Sequence, residues 1–174
     1  MMATLENMKD LPFHKFFIFE LEDLYWAEQH ILKSMPKMID AATSKALESG
    51  LTSHLQETTA HVTRLEQAFK ALGETPKETK CKATTGILKE VEDMISETEK
   101  GSEVRDAAII MAAQKVEHYE ITSYGSMIAF SKLMDHTKVS ELLQDTLREE
   151  DNANSALTSL AEGGINQQAL NEID

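Results

Sequence analysis

An all-α fold made of two long helical hairpins is what this sequence predicts, and three observations carry the prediction. Only seven glycines and three prolines occur in 174 residues, and strong helix formers fill much of the rest. Apolar residues recur at spacings of three and four along four long stretches, the period of a helix with one buried face. Turn signals between them are short, apart from one longer connection near the middle. A chain of this length buries a sizeable core as one domain, taken here as 1–164 with 165–174 as a tail.

The first helix is predicted to start at an Asp10 cap, with Pro12 in its first turn. Phe17, Leu21, Leu24, Glu28, Ile31 and Met35 make its stripe, and Pro36 is expected to kink or end it, although Lys37 to Ala42 still reads helical beyond it. Thr43 and Ser44 offer the next cap. Leu47, Leu51, Leu55, Thr58, Val62, Leu65 and Phe69 follow, closed by Gly73, with His54, Glu57 and His61 along one edge. Residues 73–85 read as a connection, and 87–95 as a short amphipathic helix suited to a crossover. After Gly101 the third long helix runs to about Met134 on a stripe of Ile110, Gln114, Glu117, Ile121, Tyr124 and Ile128. A turn at 135–137 leads into the last, with Val139, Leu143, Leu147, Glu150, Asn154 and Leu157, closed by Gly163-Gly164. From Ile165 no pattern is visible, and partial disorder is expected.

Composition narrows the function. A formal charge of −13 leaves no basic footprint, which excludes nucleic-acid binding. No apolar run approaches the roughly 18 residues of a membrane span, and residues 1–10 lack the pattern of a signal peptide, so a cytoplasmic protein is expected. Cys81 is the only cysteine. That excludes an internal disulfide and suits a reducing compartment; the thiol reads as an incidental loop residue or, given Lys80 and Lys82 beside it, a redox sensor. Phe13, Phe16, Phe17 and Phe19 crowd more sides of the first helix than one stripe can bury, which predicts self-association as a homodimer.

The polar breaks in the stripes are the informative residues. Burying a lone carboxylate costs several kcal/mol unless a cation, a proton or donors compensate. Glu28 and His61 stand 33 positions apart, as do Glu117 and Glu150, so in each hairpin the two can meet at a similar height. Carboxylate-bridged di-metal sites in four-helix bundles use one Glu from each of two helices and a Glu-His pair from each of the others. Here Glu57 and His61 are four apart rather than three, Ala153 stands where a His would follow Glu150, and Glu120 offers a substitute ligand. The candidate set is therefore Glu28, Glu57, His61, Glu117, Glu120 and Glu150, an oxygen-rich group suited to two iron ions or to manganese. A purely structural polar network is the competing reading. His54 and His118 read as supporting residues, and Glu20, Glu22 and Asp23 as a solvated face.

Several stretches, Glu22-Asp23-Leu24-Tyr25 with Ala27-Glu28, Met35-Pro36-Lys37-Met38, His61 to Glu66, and Ala112 to Ile121 with Ser123-Tyr124-Gly125, resemble the YciF/YciE family of ferritin-like stress proteins. The likeness covers about Leu11 to Leu160. It implies a ferritin-like four-helix bundle with an extra short helix, dimeric assembly, and a rubrerythrin-like dinuclear site in which Glu117, Glu120 and Glu150 match the family's third- and fourth-helix carboxylates. Oxidoreductase or peroxide-handling chemistry is one functional expectation, and a non-catalytic stress or interaction protein is the alternative.

Overall fold

Local chemistry sets where each periodic stretch becomes a helix. A computed structural model describes residues 9–173, and residues 1–8 and 174 lie outside it. Among the described residues every regular element is helical: α1 (Pro12–Ala41), α2 (Lys45–Ala71), α3 (Lys82–Glu97), α4 (Glu103–Leu133), α5 (Thr137–Leu160), a π-helical turn (Ala161–Ile165) and α6 (Asn166–Asn171). Asp10 does not cap α1. Leu11 takes that position with no side-chain bond, because Pro12 sits at the first turn with its φ preset and no N–H to satisfy. Ser44 caps α2 and Ser102 caps α4, each accepting from a backbone N–H three residues on. Gly73, at φ +66°, supplies the left-handed residue after α2 that a side chain would resist.

Pro36 lies inside α1, which continues to Ala41 along the helical pattern of residues 37–42; Met35 and Met38 are buried on either side of it, and their packing outweighs the backbone hydrogen bond that proline removes. Two further expectations are corrected. The crossover helix begins at Lys82, and Cys81, far from being a loop thiol, is its buried cap, accepting from Thr84 N at 3.3 Å. The segment after Ile165 is helical, and Ile165 itself is buried in the core.

α1 with α2, and α4 with α5, form the two antiparallel hairpins, and α2 packs on α5 as α1 does on α4. The end of α2 and the beginning of α1 share one apolar cluster with Tyr124, Met127, Ile128, Val139 and Leu143. A second cluster joins Ile31, Met35 and Leu51 to Ile110, Val116 and Leu157. So α2 finishes at the end of the bundle opposite to where α4 starts, and the connection must run the bundle's length. The 16 residues of α3 cover about 24 Å of that distance, packed on α4 and α1.

Asp106, in the first turn of α4, ties the two hairpins together. Its fully buried carboxylate accepts from Thr43 N at 2.7 Å and Ser44 N at 2.6 Å, the amides that open α2. Both are charge-assisted bonds. Asp106→Ala should therefore lower the unfolding free energy by about 3 kcal/mol, measured by urea denaturation; a loss below about 0.5 kcal/mol would show that the carboxylate is not needed there.

Candidate metal centre

The two apolar clusters do not merge, because a polar layer separates them. On α1, Glu28 lies between buried Leu24 and Ile31; on α2, His54 and His61 lie between Leu51 and Leu65; on α4, Glu117 and Glu120 follow Val116; on α5, Glu150 follows Leu143. Each is held by the apolar residues of its own stripe, which the bundle buries on both sides of it.

Within the layer, His54, Glu117, Glu120 and Glu150 each present a ligand atom within 4.8 Å of the others, and Glu28, His61 and Glu150 do the same. Glu150 belongs to both groups. His54 Nε2 is 3.3 Å from Glu117 Oε1 and 3.6 Å from Glu150 Oε2, while His61 Nδ1 is 3.6 Å from Glu28 Oε1. His61 Nδ1 also lies 2.8 Å from Glu150 Oε1, yet it is off the line of a hydrogen bond, so that contact is ionic. Eight side-chain atoms of these six residues are buried without a hydrogen-bond partner, among them both oxygens of Glu120 and of Glu150. Buried polar atoms are normally paired, and elsewhere in the described residues only His14 and Ser34 break that rule.

Protonation follows from this crowding. Burial, and then Glu150 beside it, through a proton shared between the two carboxylates and through its charge, hold the Glu117 carboxyl well above its usual range. Burial, followed by Glu150 and Glu28, does the same to Glu120. Burial works to lower the His61 pKa, but Glu28 and Glu150 outweigh it and push it up to about 10. Glu150 stays below the usual carboxylate range despite its burial, because His61 and Glu117 stabilise its charge.

Five of the six candidate ligands thus meet. Glu57 is outside both groups; its half-exposed carboxylate faces His54 Nδ1 at 3.3 Å, and His54, which the sequence reads as a supporting residue, joins the first group in its place. His118 is exposed and bonds its own helix backbone at Gln114. Glu22 and Asp23 are half-buried rather than solvated, Glu22 accepting from the Thr79 hydroxyl and Asp23 from that of Tyr119. Two features escaped sequence reasoning. Tyr124 donates its hydroxyl proton to Glu28 Oε1, and Glu149 braces His61 from outside, with Oε2 2.9 Å from His61 Nε2 and Arg64 bonded to both its oxygens at 2.5 and 2.7 Å.

The family described as a domain of unknown function, DUF892, matches residues 12–170. The chain belongs to the DUF892 family. Protein YciF of Escherichia coli (strain K12) is 38% identical over 167 residues, covering 95% of this chain and 99% of YciF. The crystal structure of the E. coli stress protein YciF superposes with a TM-score of 0.84 at 37% identity, over 89% of this chain and 98% of that one. YcfI from Rhodopseudomonas palustris gives 0.79 at 41% identity, over 91% and 95%. The helical bundle of this DUF892 protein is therefore a shared fold, and no helix among its described residues is long and apolar enough to cross a membrane.

The proton inventory makes a prediction for the metal-free DUF892 protein. Glu117, Glu120 and His61 keep protons when folded to higher pH than they would unfolded, so the folded state binds more protons and stability falls as pH rises. The carboxyls lose stability above the ordinary glutamate range. His61 adds its loss from 6.5, its ordinary value, through about 10. In chelator, the unfolding free energy should drop by on the order of 2 kcal/mol between pH 7 and 9.5, and a flat or rising profile would contradict this charge assignment.

Proposed function

We propose that this protein holds two ions, iron or manganese, in the layer between its hairpins, with Glu150 reaching both, and acts in the stress response through redox or peroxide-handling chemistry. The observation that carries the reading is the group of buried atoms in this layer that no donor of the protein answers, both oxygens of Glu120 chief among them. They are carboxylate oxygens and imidazole nitrogens, the donors that suit these metals. Four carboxylates, Glu28, Glu117, Glu120 and Glu150, would offset two divalent charges, and ligation would remove the like-charge repulsion between them.

Bound iron or manganese would supply electron exchange and Lewis acidity. The chain's part is to hold and orient. Glu149, fixed by Arg64, would keep His61 turned so that Nδ1 faces the layer, as carboxylate partners do for metal-binding histidines generally. Tyr124 keeps a proton beside Glu28, its pKa raised by burial and by the Glu28 charge. Glu57 would steady His54 from the mouth of the site. A cytoplasmic location fits the single unpaired Cys81. Self-association as a homodimer is supported by the exposed Phe13, Phe16 and Phe19 on α1 and Leu133 on α4.

A non-catalytic protein is the second reading. The contacts His61–Glu150, Tyr124–Glu28 and Arg64–Glu149 favour it, since they tie part of the layer together without ions.

Anaerobic titration of the metal-free protein with ferrous or manganous ion separates the two. Wild type should take up two ions per chain. Glu117→Ala should lose the ion on the His54 side and keep the one held by Glu28 and His61, whereas Glu150→Ala should weaken both by at least about tenfold. Wild type binding no ion, or Glu117→Ala binding the same number equally tightly, would leave the structural network as the correct account. In the same samples, a monomer mass by light scattering at micromolar concentration would end the homodimer part of the proposal.

A further inference from the structure

A cavity of about 300 Å³ lies between α2 and α5, and His54 and Glu117 stand at one side of it. Its walls include Gly50 and Ser53 from α2 and Ala153 and Ala156 from α5, with Leu157 and Leu160 adding apolar surface. Small residues at a helix contact usually let the backbones close together. Here the space remains open, and even a Cβ added at Gly50 would meet only Leu160 Cδ1, at an ordinary 3.7 Å. His54 and Glu117 are 7% and 2% exposed, and His54 Nε2 and Glu117 Oε2 lack hydrogen-bond partners. Gly50, Ser53 and Ala156 stand exposed along its outer edge, so it is a solvent-open, largely apolar groove of ligand size that leads inward to two unsatisfied polar atoms of the metal layer.

We propose that this cavity binds an uncharged, mainly apolar organic molecule with a single oxygen donor at one end, such as a primary alcohol. Its chain lies between α2 and α5, and its oxygen meets the ion on the His54 side. The inference rests on the metal reading of the layer. Charge selects the class of head group. Four carboxylates already balance two divalent ions, so an anionic head would bring an uncompensated charge into a buried site. It would also meet the half-exposed Glu57 carboxylate in the groove wall, on a chain of formal charge −13. A cationic head would be repelled by the ion itself. A neutral oxygen meets neither penalty, and the apolar walls hold its chain.

Calorimetric titration of the ion-loaded protein, with the ions counted on the same sample, tests this with 1-butanol, 1-hexanol and hexanoate. One alcohol should bind per chain, each added methylene tightening binding by about fourfold, and hexanoate should bind at least tenfold more weakly than hexanol. Ala153→Leu and Ala156→Leu, which narrow the chamber from two neighbouring points, should each weaken hexanol tenfold or more with the ion count unchanged. Hexanol failing to bind a chain that carries two ions, hexanoate binding as tightly, or both variants binding like wild type would overturn the inference alone. A chain that takes up no ions overturns the proposed metal centre, and with it the oxygen-to-ion contact.

Discussion

Four glutamate carboxylates and two imidazoles occupy one layer between two apolar clusters, and the interior of the bundle is arranged around the cost of keeping them there. Water cannot reach most of these atoms, so their charge must be answered by protons, by one another or by cations. The chain provides part of the answer. His61 carries positive charge between Glu28 and Glu150, and Tyr124 donates to Glu28. Glu120 receives nothing from the protein at either oxygen. That residue, more than any other, makes a purely protein-internal network an incomplete account.

The architecture serves this layer from a distance. Antiparallel hairpins place Glu28 against His61, and Glu117 with Glu150, at the same level. Asp106 fixes the start of α2 to α4, which sets the register of the first hairpin against the second. Arg64 and Glu149 bind across α2 and α5 at the outer side of His61. One face of the layer is thus braced by ion pairs, while the face beside His54 opens on a chamber with short side-chain walls. The same α2–α5 contact closes one side of the site and leaves the other accessible.

Much of this was legible in the residues, and the misses have physical causes. Glu28, Glu117 and Glu150 interrupt stripes whose apolar members fix their facing, and the equal offsets set their height, so these three are found where the periodicity points. On α2 the helical phase alone separates the residues that face the layer from the one that does not. His54 and His61 are seven apart and so only about 20° apart around the helix, whereas Glu57 is turned about 60° from His54 and points toward solvent. Asp106 and Glu149 could not be found this way. Their partners are distant in sequence, and no local period encodes a contact that exists only after the hairpins dock. Cys81 departs from its loop reading for a related reason, since a local thiol contact to Thr84 starts α3 there.

The most direct measurement is an anomalous-scattering map of crystals grown from protein loaded with manganese, collected at the metal's absorption edge. The account predicts two peaks flanking Glu150, one contacted by Glu28 and His61 and the other by His54, Glu117 and Glu120. A map with no peak in the layer, and with Glu117 and Glu150 hydrogen-bonded to each other instead, would contradict it.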